Sequence, residues 1–150
     1  MALQIGVIGA GECGERLWDL AYRVGELIAE HGAVLINGGL GGVMEASAKG
    51  AQERGGTVIG IIPQGDTKMA NSFCTVVIAT NMGHARNMVI IHSSSAVISI
   101  GGGFGTISEM AIALKLGKPL ISLEPPLKLN GMIPAKTPEE AVRKAIEMSE

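Results

Sequence analysis

Three apolar runs rich in β-branched residues each end in a cluster of glycines: "QIGVIGAG" (4–11), "AVLINGGLGG" (33–42) and "AVISIGGGFGT" (96–106). Stretches of helical period lie between them. A buried strand, a helix and a second buried strand make a right-handed β-α-β unit, and repeating it gives a parallel sheet. The pattern therefore predicts an α/β protein: a three-layer, doubly wound, Rossmann-like, mostly parallel sheet with helices on both faces. In such sheets ligands bind beyond the carboxyl ends of the strands, where the strand order reverses. The glycine clusters fall at those ends.

Strands are expected at 4–9, 33–38, 57–63, 75–80 (an edge strand), 96–102 and, last, 119–124. Helices are expected at 13–32, 42–54, 82–93, 106–117 and 137–149, with 66–73 as a loop. The first helix places Leu17, Leu20, Ala21, Val24, Leu27 and Ile28 on one face. Thr137, Pro138 and Glu140 form a capping box at the start of the last. With 150 residues, the chain reads as one domain, 1–150, around one core. Met82 and Met88 are expected to pack against that core.

Composition narrows the partners. The chain holds one Trp, one Tyr and two Phe, and its net charge is −2. It lacks the basic footprint and the aromatic platforms that nucleic acids require, so no nucleic-acid partner is expected. No apolar run approaches the ~20 residues of a membrane span, so no membrane partner is expected either. Cys13 and Cys74 stand far apart and suggest no disulfide framework, which fits the cytoplasm. "MALQIGVIG" reads as a first strand and not as a signal peptide. His31, His84 and His92 form no metal-ligand pattern with the cysteines.

Gly9, Gly11 and Gly14 match the spacing of a dinucleotide fingerprint. A dinucleotide site also needs an acid at the end of the second strand to hold the ribose. Asn37 is the polar residue there, and the next carboxylate, Glu45, lies inside the following helix, where a solvated role suits it. A nicotinamide or flavin site is therefore not expected, and no Walker A sequence is present. Gly9 and Gly11 either turn the chain tightly or touch a ligand.

"GGGFGTISE" (101–109) carries the strongest local signal. Glycines leave a buried strand and Gly105 and Thr106 open a helix, whose unpaired N–H groups and partial positive charge suit a phosphate. Glu109 has two readings. Thr106-x-x-Glu109 is a capping box; alternatively the carboxylate lies beside a bound phosphate ester as an acid, base or charge stabiliser.

These residues resemble the P-G-G-x-G-T-x-x-E motif of the Lonely Guy (LOG) family, also called lysine decarboxylase-like. "IGVIGAG" resembles that family's first strand and turn, "NGGLGGVME" its second glycine segment, and "MGHARNM" its M-x-x-R-K segment. Active members cleave nucleoside 5′-monophosphates to base and ribose 5-phosphate. The resemblance implies that Arg86 and Glu109 are the catalytic pair, that Gly102, Gly103, Gly105 and Thr106 hold the phosphate, and that Gly9, Gly11, Gly38, Gly39 and Gly42 line the same pocket. It also implies a homodimer or larger homo-oligomer. No cofactor is required; a bound nucleotide monophosphate or phosphorylated pterin is the expected guest. A pyridoxal phosphate decarboxylase is not expected, because no lysine sits in a Schiff-base context.

The chain departs from the LOG motif in three places. Gly101 stands for the proline, Asn87 for the lysine after the arginine, and Asn37 for the first of three glycines. With "GVMEA", "ARN" and "TPEEAV" it is more similar to a sister group that includes the molybdenum cofactor carrier proteins, which bind a phosphorylated pterin without turning it over. Phosphoribohydrolase and non-catalytic carrier or sensor are the two functions to weigh.

Overall fold

A computed structural model describes residues 1–149. In chain order it contains β1 (Gln4–Gly9), α1 (Glu15–Glu30), β2 (Val34–Asn37), α2 (Val43–Glu53), β3 (Val58–Ile62), β4 (Val76–Ala79), α3 (Arg86–His92), β5 (Ala96–Ile100), α4 (Phe104–Lys115), β6 (Leu120–Leu123), β7 (Ile133–Pro134) and α5 (Pro138–Ser149). The strands form one sheet in the order β4-β3-β2-β1-β5-β6-β7, and every adjacent pair is parallel. The fold is the expected Rossmann-like one.

Strand alternation sorts the core into two layers. Ile5 and Val7 of β1 point toward Val24 and Ile28 of α1, Ala46 of α2 and Val142 of α5. Ile8 points the other way, toward Ile90 and Ile91 of α3 and Met110 and Ala113 of α4. α1 and α2 approach so closely that a methyl group at Gly25 would sit on the Ser47 carbonyl, and one at Gly50 on the Tyr22 carbonyl. Glycine at both positions lets the two backbones meet.

β1 and β5 are neighbours, with Gly9 opposite Ile100. The chain winds outward from them in both directions, β2 to one side and β6 to the other. Their carboxyl ends therefore open a crevice, because the connections after β1 and β5 leave toward opposite faces.

Several local expectations need correction. β5 stops at Ile100, because Gly101 and Gly102 adopt φ of 57° and 116° and leave the strand region. α4 begins at Phe104 and not at Thr106. The expected helix at 82–93 is a 3₁₀ turn, Gly83–Ala85, followed by α3. The loop at 66–73 contains a 3₁₀ turn, Thr67–Met69, capped by the Asp66 carboxylate, which accepts from the Lys68 N–H at 3.0 Å. A seventh strand, β7, follows the one expected to be last. It is two residues long, and Pro134 fits because β7 is an edge. Met82 and Met88 are 48% and 41% exposed and do not belong to the core. On α3 the inward side is taken by Arg86, Asn87, Ile90 and Ile91, which turns Met88 outward.

β4 is the opposite edge, as expected. The capping box at α5 is present: the Glu140 N–H donates to Thr137 Oγ1 at 3.1 Å. Its return bond reaches one residue further back than expected, with Glu140 Oε1 accepting from the Lys136 N–H at 2.7 Å. Cys13 and Cys74 are free thiols. No helix among the described residues is long and apolar enough to cross a membrane.

Candidate functional site

The crevice between β1 and β5 holds a cavity of about 480 Å³. Its floor is the carboxyl edge of the sheet: Gly9 at the end of β1, Gly11 just beyond it, Gly38 after β2 and Pro63 after β3. Arg86 and Asn87, the first residues of α3, form one wall. Gly103, Gly105, Thr106 and Glu109, from the start of α4, form the other. Leu40 and Met44 add an apolar side, and Gly83 and His84 lie at the margin.

Eight of the eleven site residues expected from the sequence line this cavity: Gly9, Gly11, Gly38, Arg86, Gly103, Gly105, Thr106 and Glu109. Gly39, Gly42 and Gly102 do not line it; they shape its walls from behind. Gly102, at φ 116°, packs its α-carbon against the Thr106 side chain. Gly42, at φ 63°, lies against Ala10 and Gly11, and the next residue ties the two loops together through Val43 N–H to Ala10 C=O at 2.9 Å. Glu45 does not line the cavity either.

The helices that start at the glycine ends share a feature. Gly14, Gly42 and Gly103 stand at the N-cap positions of α1, α2 and α4, and none of these helices has a side-chain cap. Their first N–H groups depend on backbone, water or ligand for partners. A methyl group at Gly11, Gly103 or Gly105 would meet no atom within 4 Å, so these backbones stand open to whatever occupies the crevice.

Glu109 is not a helix cap. Because α4 starts at Phe104, Thr106 lies inside the helix and Glu109 in its second turn. Glu109 is 7% exposed, and its carboxyl accepts no hydrogen bond from the described residues. Burial pushes its pKa up to about 7, and the Arg86 charge only partly opposes this. A carboxyl poised near neutrality inside a cleft suits proton transfer and charge stabilisation.

Arg86 is 9% exposed, so it is not a surface arginine. Nη1 donates to Asn87 Oδ1 and Nη2 to the Gly38 carbonyl at 3.4 Å. Nε is buried without a partner. Desolvation lowers the pKa of the guanidinium, and Glu109 works against that shift.

Asn37 is a structural surprise. It is fully buried; Nδ2 donates to the Met44 carbonyl at 3.0 Å and to Ser47 Oγ at 3.2 Å, and Oδ1 accepts from the Gly39 N–H at 2.8 Å. It pins the second glycine loop to α2. The signal in the sequence was a lone polar residue ending an apolar strand directly before two glycines. The apolar Leu40, Met44 and Pro63 gave no such signal.

Residues 2–150 match the SLOG cluster4 family. The chain belongs to that family. An uncharacterized protein of Archaeoglobus fulgidus is 63% identical over 147 residues, covering 98% of this SLOG chain and 97% of the relative. A cytokinin riboside 5′-monophosphate phosphoribohydrolase of Mycobacterium tuberculosis is 31% identical over 118 residues, 73% of this chain and 63% of the relative. The chain thus spans less than two thirds of that enzyme. The structure of the molybdenum cofactor binding protein of Rippkaea orientalis superimposes with a TM-score of 0.94 at 36% identity, covering 100% of this chain and 99% of that one. The LOG-like resemblance is thereby established, with a molybdenum cofactor binding protein among the structural neighbours.

Proposed function

We propose that this SLOG protein binds a phosphorylated, nucleotide-like small molecule in the crevice between β1 and β5, and that Arg86 and Glu109 act on its glycosidic bond. One observation carries the reading: the three glycine strand ends, the uncapped start of α4 and a buried Arg–Glu pair converge on one cavity of about 480 Å³. The phosphate belongs at the Gly103–Thr106 turn, where N–H groups and the helix dipole meet it. Arg86 offers further donors to the phosphate or a ribose oxygen.

In the hydrolytic form of this reading, the bond between the ribose anomeric carbon and the base nitrogen breaks. Positive charge builds on the sugar, as in glycoside hydrolysis. The ionised Glu109 carboxylate stabilises that charge or takes a proton from the attacking water, whose oxygen bonds to the anomeric carbon while its proton ends on the departing base nitrogen. The products are free base and ribose 5-phosphate. No cofactor enters these steps.

A second reading, a carrier or sensor that holds a nucleotide or phosphorylated pterin without cleaving it, has its own support. The molybdenum cofactor binding protein matches the chain end to end, whereas the phosphoribohydrolase matches it in part. Both readings include a homo-oligomer, for which the half-exposed Val76, Ile78, Met82 and Met88 provide apolar surface.

The deciding experiment incubates the pure protein with a panel of nucleoside 5′-monophosphates and separates free base from nucleotide by chromatography. Base release that vanishes in Glu109→Gln and Arg86→Ala supports the hydrolase. Tight binding without release by a folded protein supports the carrier.

A further inference from the structure

We propose that Asn87 is a positioning residue: its side-chain amide holds one arm of Arg86 and so sets how the remaining guanidinium donors address the ligand. This rests on the binding reading above for its consequence, but not for its geometry.

Residues adjacent on a helix normally point apart. Arg86 and Asn87 are adjacent at the start of α3, yet both line the cavity, both are buried, and Arg86 Nη1 donates to Asn87 Oδ1. A guanidinium carries donors only, so the amide must present its oxygen to it. The Asn87 Nδ2 group is thereby turned away from Arg86, and it has no acceptor among the described residues. Meanwhile Nη2 is tied to the Gly38 carbonyl on the crevice floor. Two of the five guanidinium N–H groups are thereby held on two elements, Nε is buried without a partner, and the second N–H of each terminal nitrogen remains for a ligand.

The residue type matters. An aspartate at 87 would hold the same arm but neutralise the cation, weakening its pull on an anion. An aliphatic residue would leave the arm free to rotate. Asparagine orients the guanidinium and leaves its charge intact. The acceptor this arrangement fits is an oxygen of a phosphate ester or of its sugar.

The test compares wild type, Asn87→Leu, the isosteric Asn87→Asp and Arg86→Ala. Two things are measured: calorimetric affinity for adenosine 5′-monophosphate and inorganic phosphate, and the nitrogen-15 resonances of the Arg86 guanidinium without ligand. Restricted rotation of the guanidinium in wild type, freed in Asn87→Leu, is expected. Affinity for the nucleotide should fall about tenfold or more in Asn87→Leu and in Asn87→Asp, the scale of one charge-assisted hydrogen bond. Should Asn87→Leu not fold, the wild-type Arg86 signal decides: a freely rotating guanidinium overturns the proposal. An Arg86 signal identical in wild type and Asn87→Leu also overturns it. If wild type binds neither probe, the binding reading fails. The Arg86 signal then decides alone whether Asn87 positions the guanidinium.

Discussion

Arg86 and Glu109 line the same cavity and feel each other's charge, but share no hydrogen bond. The gap between them leaves room for a ligand. It also leaves the Glu109 carboxyl dominated by burial, which raises its pKa from 4.5 to about 7.

That shift makes stability depend on pH. Between about pH 4.5 and 7 the folded protein holds a proton on Glu109 that the unfolded chain has released. The native state binds more protons there, so stability falls as pH rises through this window and levels off above it. The full effect is on the order of 3 kcal/mol, from 1.36 kcal/mol per pKa unit. Glu109→Gln, which stays neutral, should remove that part of the slope. Urea unfolding at pH 5 and pH 8 checks this: the variant should gain on wild type at the higher pH, and parallel pH profiles would refute the assignment.

Gly103→Ala should leave the fold intact and harm ligand binding. Gly103 has a negative φ and its added methyl meets nothing within 4 Å, so no strain arises. The methyl would instead occupy space at the phosphate turn. The expected result is a melting temperature within a few degrees of wild type, with affinity for a nucleoside monophosphate reduced about tenfold, the equivalent of one lost charge-assisted hydrogen bond. Calorimetric titration beside a thermal melt measures both.

How legible was this site before the structure? The glycine ends and the β-α-β alternation placed the crevice, because strand period and glycine chemistry are local properties. The pairing of Arg86 with Glu109 came only from resemblance, since no local rule brings α3 and α4 to one cavity. The start of α4 was misread. Thr106-x-x-Glu109 has the letters of a capping box, but the φ values of Gly101 and Gly102 let the helix begin at Phe104. That two-residue difference moves Glu109 from the cap region into the buried wall. β7 was illegible because two residues carry no periodicity; its pairing is made by the tertiary position of the loop after β6.

Gly25→Ala should destabilise the protein although alanine is the better helix former. Propensity favours alanine by about 1 kcal/mol. Against it, the methyl would overlap the Ser47 carbonyl, a backbone atom that cannot rotate away. α1 and α2 must separate, and overpacking of this kind costs about 1–3 kcal/mol or more. The net loss should lower the melting temperature by several degrees. A melt equal to or above wild type would mean that the two helices do not meet backbone to backbone at Gly25 and Ser47.

Asn37 offers the sharpest separation between shaping the site and serving in it. It does not itself line the cavity, but its amide satisfies the Gly39 N–H, the carbonyl of the lining Met44 and Ser47 Oγ. Asn37→Ala would leave the buried Gly39 N–H without its partner and strip one donor each from the Met44 carbonyl and Ser47 Oγ, which still bond each other at 3.1 Å; the cost is roughly 1–3 kcal/mol. Asn37→Asp should do nearly as much harm by a different route. Its carboxylate can still accept from Gly39, but it faces the Met44 carbonyl, and a buried charge without a cation is costly. Both variants should release the second glycine loop, so amide hydrogen exchange should rise across residues 38–44 before it rises elsewhere. Ligand affinity should fall along with the loop's protection. If exchange stays slow while affinity falls, Asn37 contacts the ligand itself and the positioning role given to it is wrong.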